Sequence, residues 1–323
     1  MRTPASTPAS TPARPAGRTV SRVTTKRRLG PDAQVDDKAI VIMPDDPALT
    51  DPFLAMSEDW FSEPGFEWHP HRGLETITTV LDGVLEHGDN IGNSGALQPS
   101  DLQWMTAGRG IIHRELAFHN EHAHTLQLWL NLPAGSKLTS TRYQDLLAAD
   151  RPRVSLPGVV IDVISGTVAG VTGPAVNHWP VQGAIITLDP GASADYELPA
   201  DHRAFSYVMS GTVSVAGQTV AAGQTAWSDP AARQAAATRQ AAATRQAAAG
   251  GRTVADSLLR LAAPDRGEQG QVMIFSGRPI REPVAIGGPF VMSNRSEIAQ
   301  AFADFEAGRF GAVPRQARLR FDR

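Results

Sequence analysis

From Lys38 to about Asn131 the apolar positions fall in short runs or in alternation with polar ones, and Gly, Asn, Asp and Pro separate them. The stretches LETITTVLDGVLEH, LQWMTAGRGIIH and HTLQLWLNLP have strand length, and DNIGNSGALQPSD supplies turn residues between them. A period of two buries one face of a strand. Several such strands at near-regular spacing predict an antiparallel sandwich or barrel. Gly83, within LDG, marks a turn or a close backbone approach. From about Pro157 the pattern returns in VVIDVISG, GAIITLDPGASADYEL, RAFSYVMSGTVSVAG and QTVAAGQTAW. FSYVMSGTVSVAGQTVAAGQTAW parallels ETITTVLDGVLEH and the following LQWM: a strand, a Gly turn, a second strand, then a turn into a strand ending near Trp. The chain therefore reads as two copies of one β unit. The best helix is SEIAQAFADFEAGRFG, about residues 296–308, with Ile298, Phe302 and Phe305 at spacings of four and three. Ser296 is its expected cap, Gly308 its stop, and the outside of a barrel its expected seat.

These patterns divide the 323 residues into a tail over 1–30, a first β unit over 31–150 and a second over 151–323, closed by the helix. Two units of ordinary size suit that length. The tail repeats TPAS and is rich in Pro, Ala, Ser and Thr with nothing to bury, so it is expected to be disordered. Its Arg and Ser content without acids also resembles an organellar transit peptide, but the segment lacks amphipathic apolar content, and a solvated tail is the favoured reading. Residues 231–249 interrupt the second unit with RQAAA recurring from Arg233, Arg239 and Arg245, followed by Thr in the first two copies. A period of six keeps no helical face apolar, so this insertion is expected to be a surface loop without function.

Composition narrows the chemistry. Hydrophobic residues make up 41% of the chain, enough for a core in each unit. No apolar run reaches the roughly 18 residues that span a bilayer, and no apolar stretch of a secretory signal follows the basic start. A cytoplasmic protein is expected. The net charge is -3, yet residues 1–31 hold seven basic residues and no acid, which leaves -10 on the rest. An acidic body repels nucleic acid, so only the tail is expected to meet it. Cysteine is absent. Thiolate ligands, disulfides and cysteine nucleophiles are excluded, and a metal site would use His, carboxylate and water, which favours iron, manganese, nickel, copper or a catalytic zinc. Neither a G-x-S-x-G nor a phosphate loop occurs. Gly108-Arg109-Gly110 lacks the strand-then-helix setting of a dinucleotide fingerprint and is expected to turn the backbone just before His113.

Two segments carry candidate ligands: WHPHRGLET, with His69 and His71, and GRGIIHREL, with His113 and Glu115. Residues i and i+2 of a strand face one side, so each segment aims two ligands at one point. Three imidazoles and a carboxylate resemble a two-His-one-carboxylate triad with an extra His, a set that suits Fe(II) among several divalent ions. Glu75 shares strand parity with His69 and His71 and competes with Glu115, either as a ligand or as a partner orienting a histidine. Arg72 would neutralise it or anchor an anionic substrate. Of FHNEHAH, His119 and His122 read as solvated loop, while His124 and Gln127 are placed nearer the pocket mouth. His87, His178 and His202 stand alone and receive no role. The second unit has no H-x-H, and no metal is expected there.

Taken together, HPHRGLETIT, GDNIGN, LQWMTAGRGIIHRE, LQLWLNLP, RYQDL and EPVAIGGPFVMSN…EIAQAFADFEAGRFG resemble the pirin family from about Asp51 to Gly311, most weakly over the second unit. The resemblance implies an all-β fold of two tandem antiparallel cupin barrels of jelly-roll type with a C-terminal helix. It implies one metal, usually iron, in the first barrel, with the family's ligand motif on His69, His71, His113 and Glu115, which favours Glu115 over Glu75. Three features depart from the pattern: the long tail, the Ala/Arg insertion and the lead-in KAIVIMPDDPALTDPFLAMSEDWFSEPGFEW at the pocket rim.

Some pirins are similar to quercetin 2,3-dioxygenases, and others act as regulators that bind partner proteins. The first expectation is therefore an Fe(II) dioxygenase for a flavonol or similar enolic aromatic. Glu115 would serve as ligand and as base toward the substrate hydroxyl, and Trp68, Trp104 and Met105 would offer apolar wall. The alternative is a metal- or redox-responsive protein that binds an enzyme or transcription factor. Two fused barrels are expected to suffice as a monomer.

Overall fold

The computed structural model describes residues 16–62, 65–231 and 256–313. The Ala/Arg repeat and residues 1–15 lie outside them. The architecture is two tandem β sandwiches of the cupin jelly-roll type with a C-terminal helix. In the first, a seven-stranded sheet runs in the order 142–146, 102–106, 74–83, 123–131, 53–61, 37–42, 27–28, and faces a four-stranded sheet in the order 66–71, 111–117, 85–89, 94–97. In the second, a seven-stranded sheet in the order 153–156, 159–165, 181–188, 270–277, 203–210, 224–228, 22–25 faces a sheet built on strand Asp256–Ala262. The hydrogen-bonded ladders stay in paired sheets and do not close into continuous barrels. Among the described residues the strands pair antiparallel, except where Ala16–Gly17 runs parallel to Asp256–Ala262 and where Arg72 makes an isolated parallel bridge to Phe290.

Alternation along each strand decides what its two faces meet. On Ala123–Asn131, Gln127 lies opposite Thr78 and Trp129 opposite Thr76, and these four face the four-stranded sheet. Leu126, Leu128 and Leu130 face the other way. With Phe53, Met56, Ile77 and Trp104 they pack against Phe205, Tyr207, Trp227, Met273 and Phe275 of the second sandwich. One apolar core thus joins the two seven-stranded sheets. The interior of the second sandwich is filled by Val, Leu, Ile and Ala with Tyr196.

Three expectations are corrected. Residues 16–30 are not a free tail. Arg22–Thr25 extends the second sandwich and Arg27–Arg28 the first. Arg18 is buried, and its guanidinium donates to Ser257 Oγ and to the carbonyls of His202, Asp229 and Pro199. Open sheet edges and carbonyls seeking donors give this polar segment partners that its composition does not reveal. The helix Arg295–Glu306 is capped by Asn294, whose side chain accepts from the Glu297 N–H, and Ser296 donates to that cap. Glu297 Oε2 in turn accepts from the N–H of Ser293, the residue before the cap.

The helix also does not close the sandwich it follows in sequence. It crosses back to the first one, where Ile298, Ala301, Phe305, Phe290 and Phe310 cover Ile112 and Trp68 on the outer face of the four-stranded sheet.

Candidate metal centre

His69 and His71 lie on strand Phe66–His71, His113 and Glu115 on Ile111–Ala117, and the two strands pair with His113 directly opposite His69. The imidazole centroids are 4.3 Å apart for His69 and His113, 5.0 Å for His71 and His113, and 5.1 Å for His69 and His71. Among the described residues these three form the one group of three or more donors whose ligand atoms all lie within 4.8 Å of one another.

The far nitrogen of each ring is held. His69 Nδ1 donates to the Glu67 carbonyl at 2.7 Å, and His71 Nδ1 to the Pro289 carbonyl at 3.1 Å. His113 Nδ1 lies 3.0 Å from His87 Nε2. A ring that donates from Nδ1 presents a lone pair at Nε2. The Nε2 atoms of His71 and His113 are buried without a hydrogen-bond partner. Buried polar atoms left unpaired are costly, and a cation at the shared point would satisfy them, so the residues present fit a divalent ion. Burial holds all three imidazoles below their usual pKa, His71 at about 3, and keeps them neutral as ligands must be.

Glu115 lies beside the trio and not within it. The strand pairing is regular through His113 opposite His69 and then shifts at a β-bulge, so that Glu115 opposes Phe66. Its Oε1 accepts from the Thr78 hydroxyl at 2.9 Å and its Oε2 from the Gln127 amide at 2.7 Å. Burial pushes its pKa up to about 7, and the two donors only partly offset this.

Glu75 is placed elsewhere. The parity it shares with His69 and His71 is broken at Gly73, which has φ +79°. A Cβ there would meet the Val291 carbonyl oxygen at 2.0 Å, so only glycine fits. Beyond this turn Glu75 enters the seven-stranded sheet, where it accepts from the Thr106 hydroxyl and shares its face with Ile77 and Trp104, away from the histidines. Trp104 is accordingly core between the sandwiches, not pocket wall. Trp68 lies on the outer face beneath the helix, under the Arg114 guanidinium. Trp129, 5.2 Å from the His71 ring, provides the wall instead. Gly108, with φ +46°, makes the expected turn before His113.

The other histidines separate by face. His119 and His122 are exposed. His124 points to the second sandwich, stacked on Trp60 and bonded to Glu58, while Gln127 reaches the site. His87 is fully buried against His113, on a strand where HGD offered no periodic signal of it. Arg72 anchors the helix through Asp304 at 2.7 Å and is unavailable to Glu75.

His69 and His71 line a cavity of about 420 Å³, within the usual range for small-molecule sites, and His113 lies behind them. Ile40, Phe66, Trp129 and Pro289 form its apolar side, and Ser57, Asp59, Glu115 and Gln127 its polar side.

Comparison with known proteins follows this geometry. A family model described as Pirin matches residues 26–130, and one described as Pirin C-terminal cupin domain matches 256–311. Pirin-1 of Arabidopsis thaliana is 33% identical over 91% of this chain and 96% of its own. A Pseudomonas aeruginosa protein provisionally named a quercetin 2,3-dioxygenase is 38% identical over 76% of this chain and 79% of its own. A crystal structure of quercetin 2,3-dioxygenase from Acinetobacter baumannii superposes with a TM-score of 0.75 at 26% identity, covering 93% of this chain and all of that one.

Proposed function

The chain belongs to the pirin family, and on that premise we propose that it is a metal-dependent dioxygenase acting on a flavonol such as quercetin or a similar enolic aromatic. The observation that carries the reading is the convergence of three neutral imidazoles, two of which, His69 and His71, line an apolar-walled cavity. His69, His71 and His113 would hold the ion, with Glu115 as the fourth donor, and Fe(II) is the ion the family resemblance implies. Such an ion supplies Lewis acidity and redox chemistry toward dioxygen.

The chain's own residues supply the rest. Trp129 and Phe66 offer flat apolar faces to an aromatic ring and keep water from it. Glu115 borders the cavity beside His69 and His71 and is placed to take the proton of an enolic hydroxyl. Thr78 and Gln127 fix the direction in which Glu115 can take it, because each carboxylate oxygen already accepts one bond.

The test is iron-loaded protein with a flavonol, followed by oxygen uptake and loss of flavonol absorbance. His71→Ala and His113→Ala are expected to lose both metal and turnover. Glu115→Gln is expected to lower turnover by about 10² to 10⁴, the usual contribution of a positioned base. Fully metal-loaded wild type that turns over no flavonol or related enol would overturn the dioxygenase reading and leave metal-dependent partner binding as the alternative.

A further inference from the structure

We propose that His87 is a positioning residue for the metal centre: it accepts the Nδ1 proton of His113 and thereby keeps His113 Nε2 free to bind a cation. This rests on the metal reading above and extends it to a residue outside the ligand set.

Strand Leu85–Asp89 pairs with Ile111–Ala117 so that Asp89 lies opposite His113 and His87 opposite Glu115. His87 and His113 are therefore diagonal neighbours on one face, within reach of long side chains, and both are fully buried. Their facing nitrogens are 3.0 Å apart. Two neutral imidazoles at that distance share one proton, so one ring donates and the other accepts.

The two choices are not equivalent. If His87 Nε2 donated, His113 would carry its proton on Nε2 and aim an N–H at the point where His69 and His71 present lone pairs. Three lone pairs converge only if His113 Nδ1 donates and His87 Nε2 accepts. The other ligands have backbone carbonyls for this purpose, Glu67 for His69 and Pro289 for His71. A carbonyl can only accept, so those two tautomers are set by construction. Asp89, the carboxylate opposite His113, is engaged elsewhere, accepting from the N–H groups of Ile91 and Asn93 and from the Asn93 amide. His87 is thus left as the acceptor for His113, and unlike a carbonyl it can also donate. The Tyr143 ring, 5.0 Å from that of His87, packs beside it.

His87→Leu removes the acceptor, and His87→Gln replaces it with an amide oxygen. Wild type and both variants are compared in zinc affinity by competition with a chromophoric chelator, in thermal midpoint without metal, and in the imidazole ¹⁵N spectrum of the metal-free protein. The expected result is zinc binding about 10- to 100-fold weaker in His87→Leu, with most of the loss recovered in His87→Gln. Metal-free wild type should show His113 protonated at Nδ1, and a folded His87→Leu should lose that preference. His87→Leu that folds and binds zinc within twofold of wild type overturns the proposal. So does a wild-type spectrum with His113 protonated at Nε2, a measurement that needs neither metal nor a folded variant. Failure of wild type to bind any metal, with His113 protonated at Nδ1, would count against the metal reading and not against the role of His87.

Discussion

His71, His87 and His113 are packed together out of water with the half-buried His69 beside them, and the pKa of each is pushed down by burial, to about 3 for His71 and His87. The unfolded chain has histidines near 6.5 and binds protons that the folded one refuses. Where the unfolded state binds more protons, stability rises with pH. Metal-free protein should therefore lose stability as pH falls below 6.5, with His71 and His87 each costing about 1.4 kcal/mol per pH unit down to about 3. Glu115 opposes this. Its folded pKa is raised, so between about 4.5 and 7 the folded state holds the extra proton and stability falls as pH rises. Burial also raises the carboxyls of Glu75, Asp51, Asp59 and Asp145, which act in the same direction as Glu115. The four imidazoles and His202 nevertheless refuse protons across the whole interval, and the thermal midpoint of metal-free protein should drop between pH 6.5 and 5. A midpoint that stays level or rises over that interval would contradict this electrostatic account. Bound metal should steepen the dependence, because acid then also releases the ion.

At the scale of elements, the segment 284–311 acts as a strap on a site formed more than 150 residues earlier. Its Pro289 carbonyl holds His71. Its Val291 carbonyl, with the Gly73 carbonyl and Asn131, receives the three N–H bonds of the buried Lys137 ammonium. Its helix is tied to Arg72 through Asp304, and the Arg72 guanidinium lies 4.4 Å over Phe310. Lys137→Met would leave buried carbonyls unpaired, at a cost on the order of 3 kcal/mol. It should also weaken metal binding, since the Gly73 turn follows the H-x-H strand directly; denaturant melts and a chelator titration read the two effects. Asn294→Ala should cost about 1 kcal/mol through loss of the cap. Because the helix is clamped at other points, metal affinity should then be nearly unchanged. That contrast separates strap contacts from helix stability.

Across the whole molecule the two sandwiches share one apolar core, in which Phe205 packs edge-on against Phe53 at 4.9 Å and stacks near Phe275 at 6.0 Å. Glu58 of the first sandwich adds a polar link, accepting from Tyr207 at 2.6 Å and from Lys26 and bonded to His124. Its neighbours outweigh the cost of burial and hold its carboxyl below the usual range. Unfolding is expected to be one event for both halves. Phe205→Ala, in the second sandwich, should cost about 3 to 5 kcal/mol and shift metal release and loss of β circular dichroism together in urea. Release at an unchanged urea concentration would show that the halves unfold separately.

The sequence by itself determined the local facts. Alternation of period two made strands of HPHRGLETIT and GIIHREL and put His69 beside His71 on one face, because that geometry is a property of the strand alone. Turn residues marked the repeated β unit, and the 3.6-residue spacing of Ile298, Phe302 and Phe305 marked the helix. The tertiary structure decided whatever depends on which strands become neighbours. It carried Glu75 into the other sheet through a turn that only glycine fits, and shifted Glu115 by a bulge that strand parity cannot foresee. It sent Trp104 and His124 to the junction between sandwiches, returned the helix to the first of them, and drew residues 16–30 onto open sheet edges. His87, isolated in sequence, became the hydrogen-bond partner of a ligand because antiparallel pairing brought its strand beside that of His113. Short-range pattern reports a residue's face, but contact between residues far apart in the chain is set by burial and hydrogen bonding summed over the whole fold.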